Sequence, residues 1–309
     1  MSSLQLKPFL NESQVALLDV EEKEIRVVLI GKTGGGKSST GNTILQRKAF
    51  NSTMSASSIT SSCEKKTGEF NGQPLAVVDT PGLFDTRMSE EKMKKEFAKC
   101  TSFAAPGPHV FLVVINLSRF TEEEQKTVEI IQECFGKDAA AYTMVVFTHG
   151  DDLEAEGVSI ERFISPNQAL RAFISQCGGG YVVFNNRAED PSQVRKLLRK
   201  IDMMVLRNGG TYFTNEMIKE ARKAIHQESM QLLLQNVGMK LDKARRLAEK
   251  NNPFLRAVIG CNAITIGAGT GAALGTLGGP GGTELGASEG TTVVWATAVS
   301  VKKYTCNIQ

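Results

Sequence analysis

Short, almost continuously apolar runs alternate with amphipathic stretches along the middle of the chain. Five such runs, rich in Val, Ile, Leu and Phe, occupy residues 25–30, 75–79, 110–115, 143–148 and 181–184. Runs of this length and composition predict strands of a sheet that is covered on both faces. Segment 67–79 adds a hairpin, because Asn71-Gly72 suits a tight type I′ turn.

The stretches between these strands carry helix-end signals. Thr121 and Glu124 have the spacing of a capping box, and Gly136 stands where a helix commonly ends. Alternating strands and helices predict an α/β fold, a doubly wound and mostly parallel six-stranded sheet with an accessory C-terminal helical extension. Within that extension, Thr214 is predicted to cap one long amphipathic helix over residues 215–250.

The last part of the chain has a different composition. Residues 257–283 contain no charged residue, and nine of these 27 residues are glycine. The chain is therefore divided into four predicted segments: a flexible arm (1–24), the α/β domain (25–207), the amphipathic helical extension (208–250) and a glycine-rich apolar tail (251–309).

Charge and cysteine content narrow the possible functions. The net charge is +3 with acids and bases interspersed, so no dedicated nucleic-acid surface is predicted. The six cysteines are scattered singly, which indicates neither a disulfide framework nor a zinc site. The first residues lack the pattern of a signal peptide, so a reducing cytosol is the expected compartment.

Residues 31–39, GKTGGGKSS, match the phosphate-loop pattern G-x-x-x-x-G-K-[S/T] directly after a predicted strand. Lys37 would bridge the β- and γ-phosphates, and the Ser38 hydroxyl would bind Mg²⁺. The alternative, a glycine turn with an incidental lysine, leaves the flanking strand and helix unexplained. The predicted phosphate-binding residues are Gly31, Lys32, Thr33, Gly34, Gly35, Gly36, Lys37, Ser38 and Ser39.

The segment FTHGDDL (147–153) favours guanine over adenine. In the usual N-K-x-D element the aspartate accepts hydrogen bonds from the base N1–H and amine, a donor pair that adenine lacks. Asp152 stands in that role, which disfavours a phosphate-loop ATPase, although a solvated loop carboxylate is the alternative. His149 and Gly150 replace the usual Asn and Lys. Loss of the lysine stem should weaken affinity, and His149 is a candidate to compensate by stacking on the base or bonding to it.

A second loop, FNNRA (184–188), follows the last predicted strand. Asn185 and Asn186 would meet guanine O6 there, or they are turn formers.

A third loop, Asp79-Thr80-Pro81-Gly82, looks like the loop by which a GTPase senses the γ-phosphate. Leu83 follows where many such enzymes have a glutamine that orients water, so an isolated monomer is expected to hydrolyse GTP slowly.

Seven ordered segments resemble the GIMAP family, the GTPases of immunity-associated proteins, whose wider relatives are septins and chloroplast Toc receptors. The segments are RVVLIGKTGGGKSSTGNTIL, SITSSCEKK, VVDTPGLFDT, RFTEEEQ, FTHGDDLE, FNNRA and NGGTYFTNEM, covering roughly residues 25 to 230. The resemblance implies a septin-like G domain that binds GTP or GDP with Mg²⁺. It also implies self-association through that domain, contacts with related family members and an immune role.

The resemblance assigns further residues by matching position. Thr60 would be the switch threonine on Mg²⁺, and Ser52 would touch nucleotide from the same loop. Asp79 would support Mg²⁺ through water, and the Gly82 N–H would meet the γ-phosphate.

Arg119 is the candidate to replace the missing glutamine. It follows the fourth predicted strand, on the nucleotide-facing edge of such a sheet. In GIMAP and Toc proteins this region faces a partner across the nucleotide, so Arg119 of one copy would reach the phosphates of the other. An arginine supplied in trans accelerates hydrolysis by a factor of about 10³–10⁵. The alternative is a surface ion pair with one of residues 122–124.

The chain ends in Cys306-Asn307-Ile308-Gln309, which fits the C-a-a-X pattern and predicts lipidation of Cys306. A single lipid chain binds membranes only marginally, so a second signal is needed. Lys302 and Lys303 supply some charge, and segment 257–278 is long enough to span a bilayer. Membrane insertion, peripheral contact and a plain linker remain three alternatives for this tail.

Two functions follow from the sequence. The first is a GTP-binding switch, activated by self-association and anchored through its tail at the cytosolic face of an intracellular membrane. The second is a septin-like scaffold that binds GTP stably and polymerises with negligible hydrolysis. Leu83 favours the scaffold, whereas Arg119 and the intact Mg²⁺ ligands favour the switch.

Overall fold

The computed structural model describes residues 23–52, 62–82, 88–117, 120 and 122–260. The strands within these residues are β1 (Ile25–Ile30), β2 (Glu64–Phe70), β3 (Gln73–Asp79), β4 (Val110–Asn116), β5 (Thr143–Thr148) and β6 (Tyr181–Val183). They form one sheet in the order β2-β3-β1-β4-β5-β6. Every neighbouring pair is parallel except β2 and β3, which are antiparallel. The predicted α/β fold with a mostly parallel six-stranded sheet is confirmed.

Helices of the described residues surround this sheet. They are α1 (Lys37–Ile44), α2 (Glu90–Ala104), α3 (Glu122–Gln125), α4 (Thr127–Phe135), α5 (Gly150–Glu156), α6 (Ile160–Ile164), α7 (Gln168–Gln176), α8 (Pro191–Arg207), α9 (Glu216–Gln235), α10 (Leu241–Lys250) and α11 (Pro253–Gly260), with a 3-10 helix at Lys137–Tyr142. The C-terminal helical extension that the sequence predicts is therefore present.

The core lies on both faces of the sheet. Val28 and Ile30 of β1 pack with α2, α4 and α7, whereas Val27 and Leu29 pack with α1 and α8 on the other face. Alternate residues of a strand point to opposite faces, so a strand that is covered twice must be apolar throughout. This explains the unbroken apolar runs and leaves the carboxyl edge of the parallel strands for polar loops.

The turn between β2 and β3 has the conformation that its sequence predicts. Asn71 and Gly72 have φ values of 50° and 81°. Both central residues of a type I′ turn require positive φ, and Asn and Gly tolerate it best. Gly136 likewise ends α4 with φ 103°. The proposed cap Thr121 lies outside the described residues.

Two details of the predicted extension are wrong. The residue that caps α9 is Asn215 rather than Thr214: Asn215 Oδ1 accepts a hydrogen bond from the Ile218 N–H (2.9 Å), and its amide donates to Phe135 O (2.8 Å). The predicted single helix is also two helices, because Gly238 lies between α9 and α10 with φ 87°. A left-handed residue cannot continue a right-handed helix.

The extension packs on α2 through buried polar groups. The Ser102 hydroxyl donates to Glu249 O (2.8 Å) and accepts from the Asn252 amide (3.0 Å). The Glu249 carboxylate receives Lys65 of β2 (2.7 Å) and Arg245 (3.1 Å). Since all these groups are largely removed from water, breaking one partner would leave a buried polar group unsatisfied.

A second buried cluster fixes the amino end of β1. The Arg26 N–H donates to His109 Nδ1 (3.0 Å), and the Arg26 guanidinium lies over the Tyr212 ring, 4.6 Å from its centroid. Burial, and secondly the neighbouring charge of Arg26, lowers the pKa of His109 from 6.5 to about 3. His109 is therefore neutral in the folded protein, with Nδ1 as the acceptor.

Among the described residues, none of the helices has the length and apolar content that a bilayer crossing requires. Residues 261–309, with most of the apolar tail and Cys306, lie outside the described part of the chain.

Candidate functional site

The loop between β1 and α1 owes its shape to glycine at two positions. Gly36 precedes α1 with φ 95° and ψ 17°, a left-handed conformation that a side chain would strain. Gly31 has φ 145°, and a Cβ there would lie 2.6 Å from Val114 O of β4. Only glycine allows the loop to pass this close to the neighbouring strand. The backbone path of the loop therefore requires glycine at these two motif positions.

Lys37 crosses the inside of this loop. Its ammonium donates to Gly31 O (2.9 Å) and Lys32 O (2.8 Å), and the side chain is buried. The helix that starts here has no side-chain cap. The first N–H groups of a helix point away from any intrahelical acceptor, so a helix start with an adjacent ammonium suits a phosphate.

Ser38 at the start of α1 and Asp79 at the end of β3 come together. The Ser38 hydroxyl donates to Asp79 Oδ2 at 2.6 Å, although 41 residues separate them, and Asp79 is buried. A hydroxyl and a carboxylate oxygen at one point are the hard oxygen ligands that Mg²⁺ prefers. The residues present therefore fit the predicted metal.

The other phosphate-loop residues lie around these groups. Gly35 N–H donates to Lys32 O (3.2 Å), and Ser39 O accepts from the Thr43 hydroxyl (3.1 Å). The Lys32 side chain is exposed, so its carbonyl is the part that faces Lys37. Thr33 and Gly34 form the tip of the turn.

The segment predicted to sense the γ-phosphate is held in place where it leaves β3. The Thr80 hydroxyl donates to Leu29 O of β1 (2.7 Å), and residues 80–82 are buried. The contact with Leu29 ties this segment to the end of β1, the strand that leads into the phosphate loop. Leu83 lies outside the described residues.

Ser52 lies where the chain leaves α1 for the segment that contains Thr60. The Asn42 side chain holds the segment after α1 in place. Its Oδ1 accepts hydrogen bonds from the N–H groups of Ala49 and Phe50 (both 2.7 Å), and its amide donates to Ser52 Oγ (3.1 Å). Ser52 itself is exposed. Thr60 and Arg119 lie outside the described residues, so their assigned roles stay predictions.

The end of β5 is connected to the phosphate loop through Thr148. Its hydroxyl donates to Gly35 O (3.1 Å), and His149 Nδ1 lies 3.1 Å from the same oxygen. With the Thr148 proton directed to Gly35, the imidazole must donate through Nδ1. In the neutral imidazole, Nε2 of His149 is then the hydrogen-bond acceptor.

His149 adopts a left-handed conformation, with φ 65° and ψ 41°. This backbone is uncommon for a residue with a side chain and costs on the order of 1–2 kcal/mol. It turns the chain from β5 directly into α5, where Asp152 lies in the first turn with an exposed side chain.

The structure gives a steric reason for glycine at position 150, which the sequence alone does not reveal. The Gly150 N–H donates to Phe184 O (3.0 Å), and a Cβ would lie 2.8 Å from Val183 Cγ1 and 3.4 Å from Phe184 O. The loops after β5 and β6 are therefore too close here for the lysine of the usual N-K-x-D element. An Asp151–Arg187 ion pair (2.8 Å) adds a second link between these loops.

The two asparagines after β6 have different surroundings. Asn185 Oδ1 accepts from the N–H groups of Arg187 (2.9 Å) and Ala188 (3.2 Å), the contacts of a turn former. Asn186 reaches α1, where its Oδ1 accepts from Thr43 (2.8 Å) and its amide donates to Thr40 (3.2 Å). Both side chains thus hold the loop in place in this structure, and Asn186 connects it to the phosphate-loop helix.

Sequence reasoning missed three residues that organise the site: Asn42, Thr80 and Thr148. Thr148 is the last residue of a predicted strand, Thr80 directly follows one, and Asn42 lies inside a predicted helix. The strand-end position is the signal that was available for Thr80 and Thr148, because buried polar groups there must find partners. Asn42 had no comparable signal.

No group of three His, Cys, Asp or Glu side chains that could hold a metal ion occurs within the described residues. The cysteines of that part of the chain are free thiols: Cys63, Cys100, Cys134 and Cys177. Burial raises the pKa of Cys134 and Cys177 to about 12 in each case, which makes these thiols unreactive.

The AIG1 family model matches residues 25–231. Immune-associated nucleotide-binding protein 9 of Arabidopsis thaliana is 38% identical over 204 residues, which are 64% of this chain and 60% of that protein. GTPase IMAP family member 8 of Homo sapiens is 35% identical over 196 residues, 62% of this chain and 29% of that protein. The chain thus covers about three fifths or less of the length of these relatives.

Solved structures with a similar fold include Toc33 of Arabidopsis thaliana in complex with GDP and Mg²⁺, with 21% identity and a TM-score of 0.44 over 63% of this chain and 90% of that one. Another is a structure on the importance of dimerization for the GTPase activity of the chloroplast translocon components atToc33 and psToc159. It has 22% identity and a TM-score of 0.46 over 62% of this chain and 87% of that one.

Proposed function

We propose, from the premise that this chain belongs to the AIG1 family, that it is a GTP-binding switch whose slow hydrolysis is accelerated when two G domains associate. The contacts of Thr148 with Gly35 and of Asn186 with Thr43, which connect the loops after β5 and β6 to the phosphate loop and its helix, support this proposal. The reaction is the conversion of GTP and water to GDP and phosphate.

The observation that carries the proposal is the convergence of Lys37, Ser38 and Asp79 at the start of α1. A nucleoside triphosphate with Mg²⁺ requires positive charge for its phosphates and oxygen ligands for the ion. The site offers an ammonium held by two carbonyl oxygens, a helix N-terminus and a hydroxyl–carboxylate pair at 2.6 Å. We assign Ser38, Thr60 and, through water, Asp79 to Mg²⁺. The bound ion would neutralise phosphate charge.

Guanine is the proposed base because of Asp152. Its carboxylate is exposed at the start of α5, while the adjacent Asp151 is occupied by Arg187. Asp152 would accept from the guanine N1–H and amine, and His149 Nε2 or its ring face would contact the base edge. Asn185 and Asn186 would shape the opposite wall, with O6 within reach of backbone or amide donors.

Hydrolysis proceeds by in-line attack of a water oxygen on the γ-phosphorus, with the bond to the β-bridging oxygen breaking. Lys37 and the Gly82 N–H would stabilise charge on the γ-phosphate oxygens. Leu83 can neither donate nor accept a hydrogen bond, so the chain itself supplies no side chain there to orient the water. We propose that Arg119 of a second copy supplies the missing positive charge at the phosphates.

A second candidate function is favoured by Leu83 alone. A septin-like scaffold would bind GTP to stabilise an assembly and would not need fast hydrolysis. Related family members are further partners in either case, and the immune association in the names of the relatives is extended to this chain as part of the proposal. Lipidation at Cys306 would hold the protein at the cytosolic face of an intracellular membrane.

The test is GTP turnover per molecule as a function of protein concentration. Wild type and Arg119→Ala are compared, with Arg199→Ala, an exposed residue of α8, as the matched control. Turnover that rises with concentration in wild type and control but stays low in Arg119→Ala supports the dimer-activated switch. Negligible turnover at all concentrations, with GTP bound, would support the scaffold instead.

A further inference from the structure

The outward face of α8 carries an unusual combination of side chains. Its inward residues, Val194, Leu197, Leu198, Ile201 and Met204, are buried against the sheet. Its outward residues include four cations and two large apolar side chains: Arg195, Lys196, Arg199, Met203, Leu206 and Arg207. We call these six residues the α8 face. Met203 is 57% exposed and Leu206 is 71% exposed, so neither lies in a groove.

Helix geometry brings these six residues into one strip. At 3.6 residues per turn they fall within an arc of about 120°, and at 1.5 Å per residue the strip is about 18 Å long. Arg195, Arg199 and Met203 follow each other at four-residue spacing. The strip is convex and held rigidly by the buried side of the helix.

In the part of the chain that the structure describes, the cations of this strip outnumber the acids near them and are not held in ion pairs. Within the described residues, Arg195, Lys196, Arg199 and Arg207 form no ion pair. Asp202 is an exposed acid of the same helix, and Glu161 and Asp190 interact through space with Lys196 and Arg195. These acids are fewer than the cations.

The cations of α8 also affect one another. Burial, followed by repulsion from Lys196 and Arg207, lowers the pKa of the half-buried Lys200. The repulsion, which is the smaller of these two causes, indicates a local field that attracts anions.

We propose that the α8 face docks on an anionic lipid surface, with the four cations over lipid phosphates and Met203 and Leu206 entering the interface. A continuous anionic plane fits a convex strip in which protruding apolar side chains adjoin unpaired cations. An acidic protein partner would have to supply pockets for both apolar side chains. The α8 face differs from the C-terminal tail, and it would supply the second signal that a single lipid chain requires.

Charge reversal provides the first test, made with the full unlipidated chain. Sedimentation with phosphatidylcholine vesicles containing phosphatidylserine is compared for wild type, Arg195→Glu/Arg199→Glu and the control Lys223→Glu/Lys243→Glu. The control makes the same charge change at exposed positions of α9 and α10, over the opposite face of the sheet. Each cation near the surface strengthens binding about fivefold, so the α8 variant should bind more than tenfold more weakly. The affinity of the control variant for these vesicles should fall clearly less.

The apolar part is tested by fluorescence. The chain has one tryptophan, Trp295, so Trp295→Phe/Leu206→Trp reports from the α8 face alone. Its emission should shift to the blue on anionic vesicles and stay unchanged on pure phosphatidylcholine, whereas Trp295→Phe/Lys223→Trp should show no shift. Equal losses in both charge variants, or no shift at position 206, would overturn the proposal. GTP titration of every variant verifies that the fold and the nucleotide site are intact.

Discussion

The phosphate side and the base side of the candidate site are built in different ways. On the phosphate side, Lys37 donates to two carbonyl oxygens of its own loop, and Ser38 of that loop donates to Asp79 at the end of β3. On the base side, Asp152 is exposed, His149 has a left-handed backbone, and Gly150 takes the place of a lysine.

This difference shows what a motif encodes. Phosphate recognition uses backbone N–H groups and one ammonium, so its residues are fixed by loop geometry and leave little room for variation. Base recognition depends on how two loops approach each other. Here Gly150 lets them come close and Asp151–Arg187 links them, while Asn186–Thr43 ties the loop after β6 to α1.

The largest expected effect is loss of the phosphate-side ammonium. Lys37→Ala should weaken GTP binding on the order of 10²–10³-fold, because charge-assisted hydrogen bonds to phosphate are lost from a water-excluded loop. Titration with a fluorescent GTP analogue measures this. Lys48→Ala, an exposed residue shortly after α1, is the control and should bind as wild type does. Equal affinities of both variants would remove Lys37 from the phosphate site.

On the base side, two adjacent aspartates form a matched pair. Asp152→Asn should weaken GTP binding on the order of 10²-fold and improve binding of xanthosine triphosphate, since an amide donates where the carboxylate accepts. Asp151→Asn weakens a surface ion pair and should change affinity by less than about threefold. Competition titrations with both nucleotides decide. An effect at 151 as large as at 152 would mean that the carboxylate roles are misassigned.

Restoring the lysine of the usual guanine element should harm this protein. Gly150→Lys forces a Cβ against Val183 and Phe184, which should lower the free energy of unfolding by about 1–3 kcal/mol. Ala155→Lys adds the same charge on the exposed side of α5 and should leave the melting temperature nearly unchanged. Should Gly150→Lys instead be as stable as wild type with tighter GTP binding, the steric explanation of the glycine is incorrect.

Acid should destabilise the whole fold. The phosphate side and the base side should then be lost together, because both are built on the same sheet. The unfolded chain protonates His109 near pH 6.5, whereas the folded protein resists until about pH 3. The unfolded state thus binds more protons in this window, so the free energy of unfolding should fall by up to about 1.4 kcal/mol per pH unit as the pH drops. Denaturant titrations between these pH values should show a shallower slope for His109→Asn, which keeps an acceptor for Arg26. The control His226→Gln should retain the wild-type slope.

The sequence predicts most of the fold because its strands are buried on both faces. Such strands need apolar residues without interruption, and this pattern is readable without knowledge of neighbours. The long helix over 215–250 was mispredicted because amphipathic periodicity continues across Gly238, and the conformation of that glycine depends on how α9 and α10 pack. Asn215 rather than Thr214 caps α9 because its amide also reaches Phe135, a contact 80 residues away.

For the site, the phosphate loop was predictable because its spacing follows from chain geometry. The position of Asp152 was predictable from the strand before it. The contacts of Asn186 with α1 and the close approach at Gly150 were not, because they depend on the distance between loops from different strands. Thr148 belongs to the same class, since its partner Gly35 lies 113 residues away.

The most direct test of the central claim is a calorimetric titration of the wild-type protein with GTP and with ATP, each with Mg²⁺ and with a chelator. We predict that GTP binds, that the chelator weakens its binding, and that ATP binds at least about 100-fold more weakly because Asp152 finds no donor pair on adenine. Equal affinities for GTP and ATP, or no binding of either, would contradict the account.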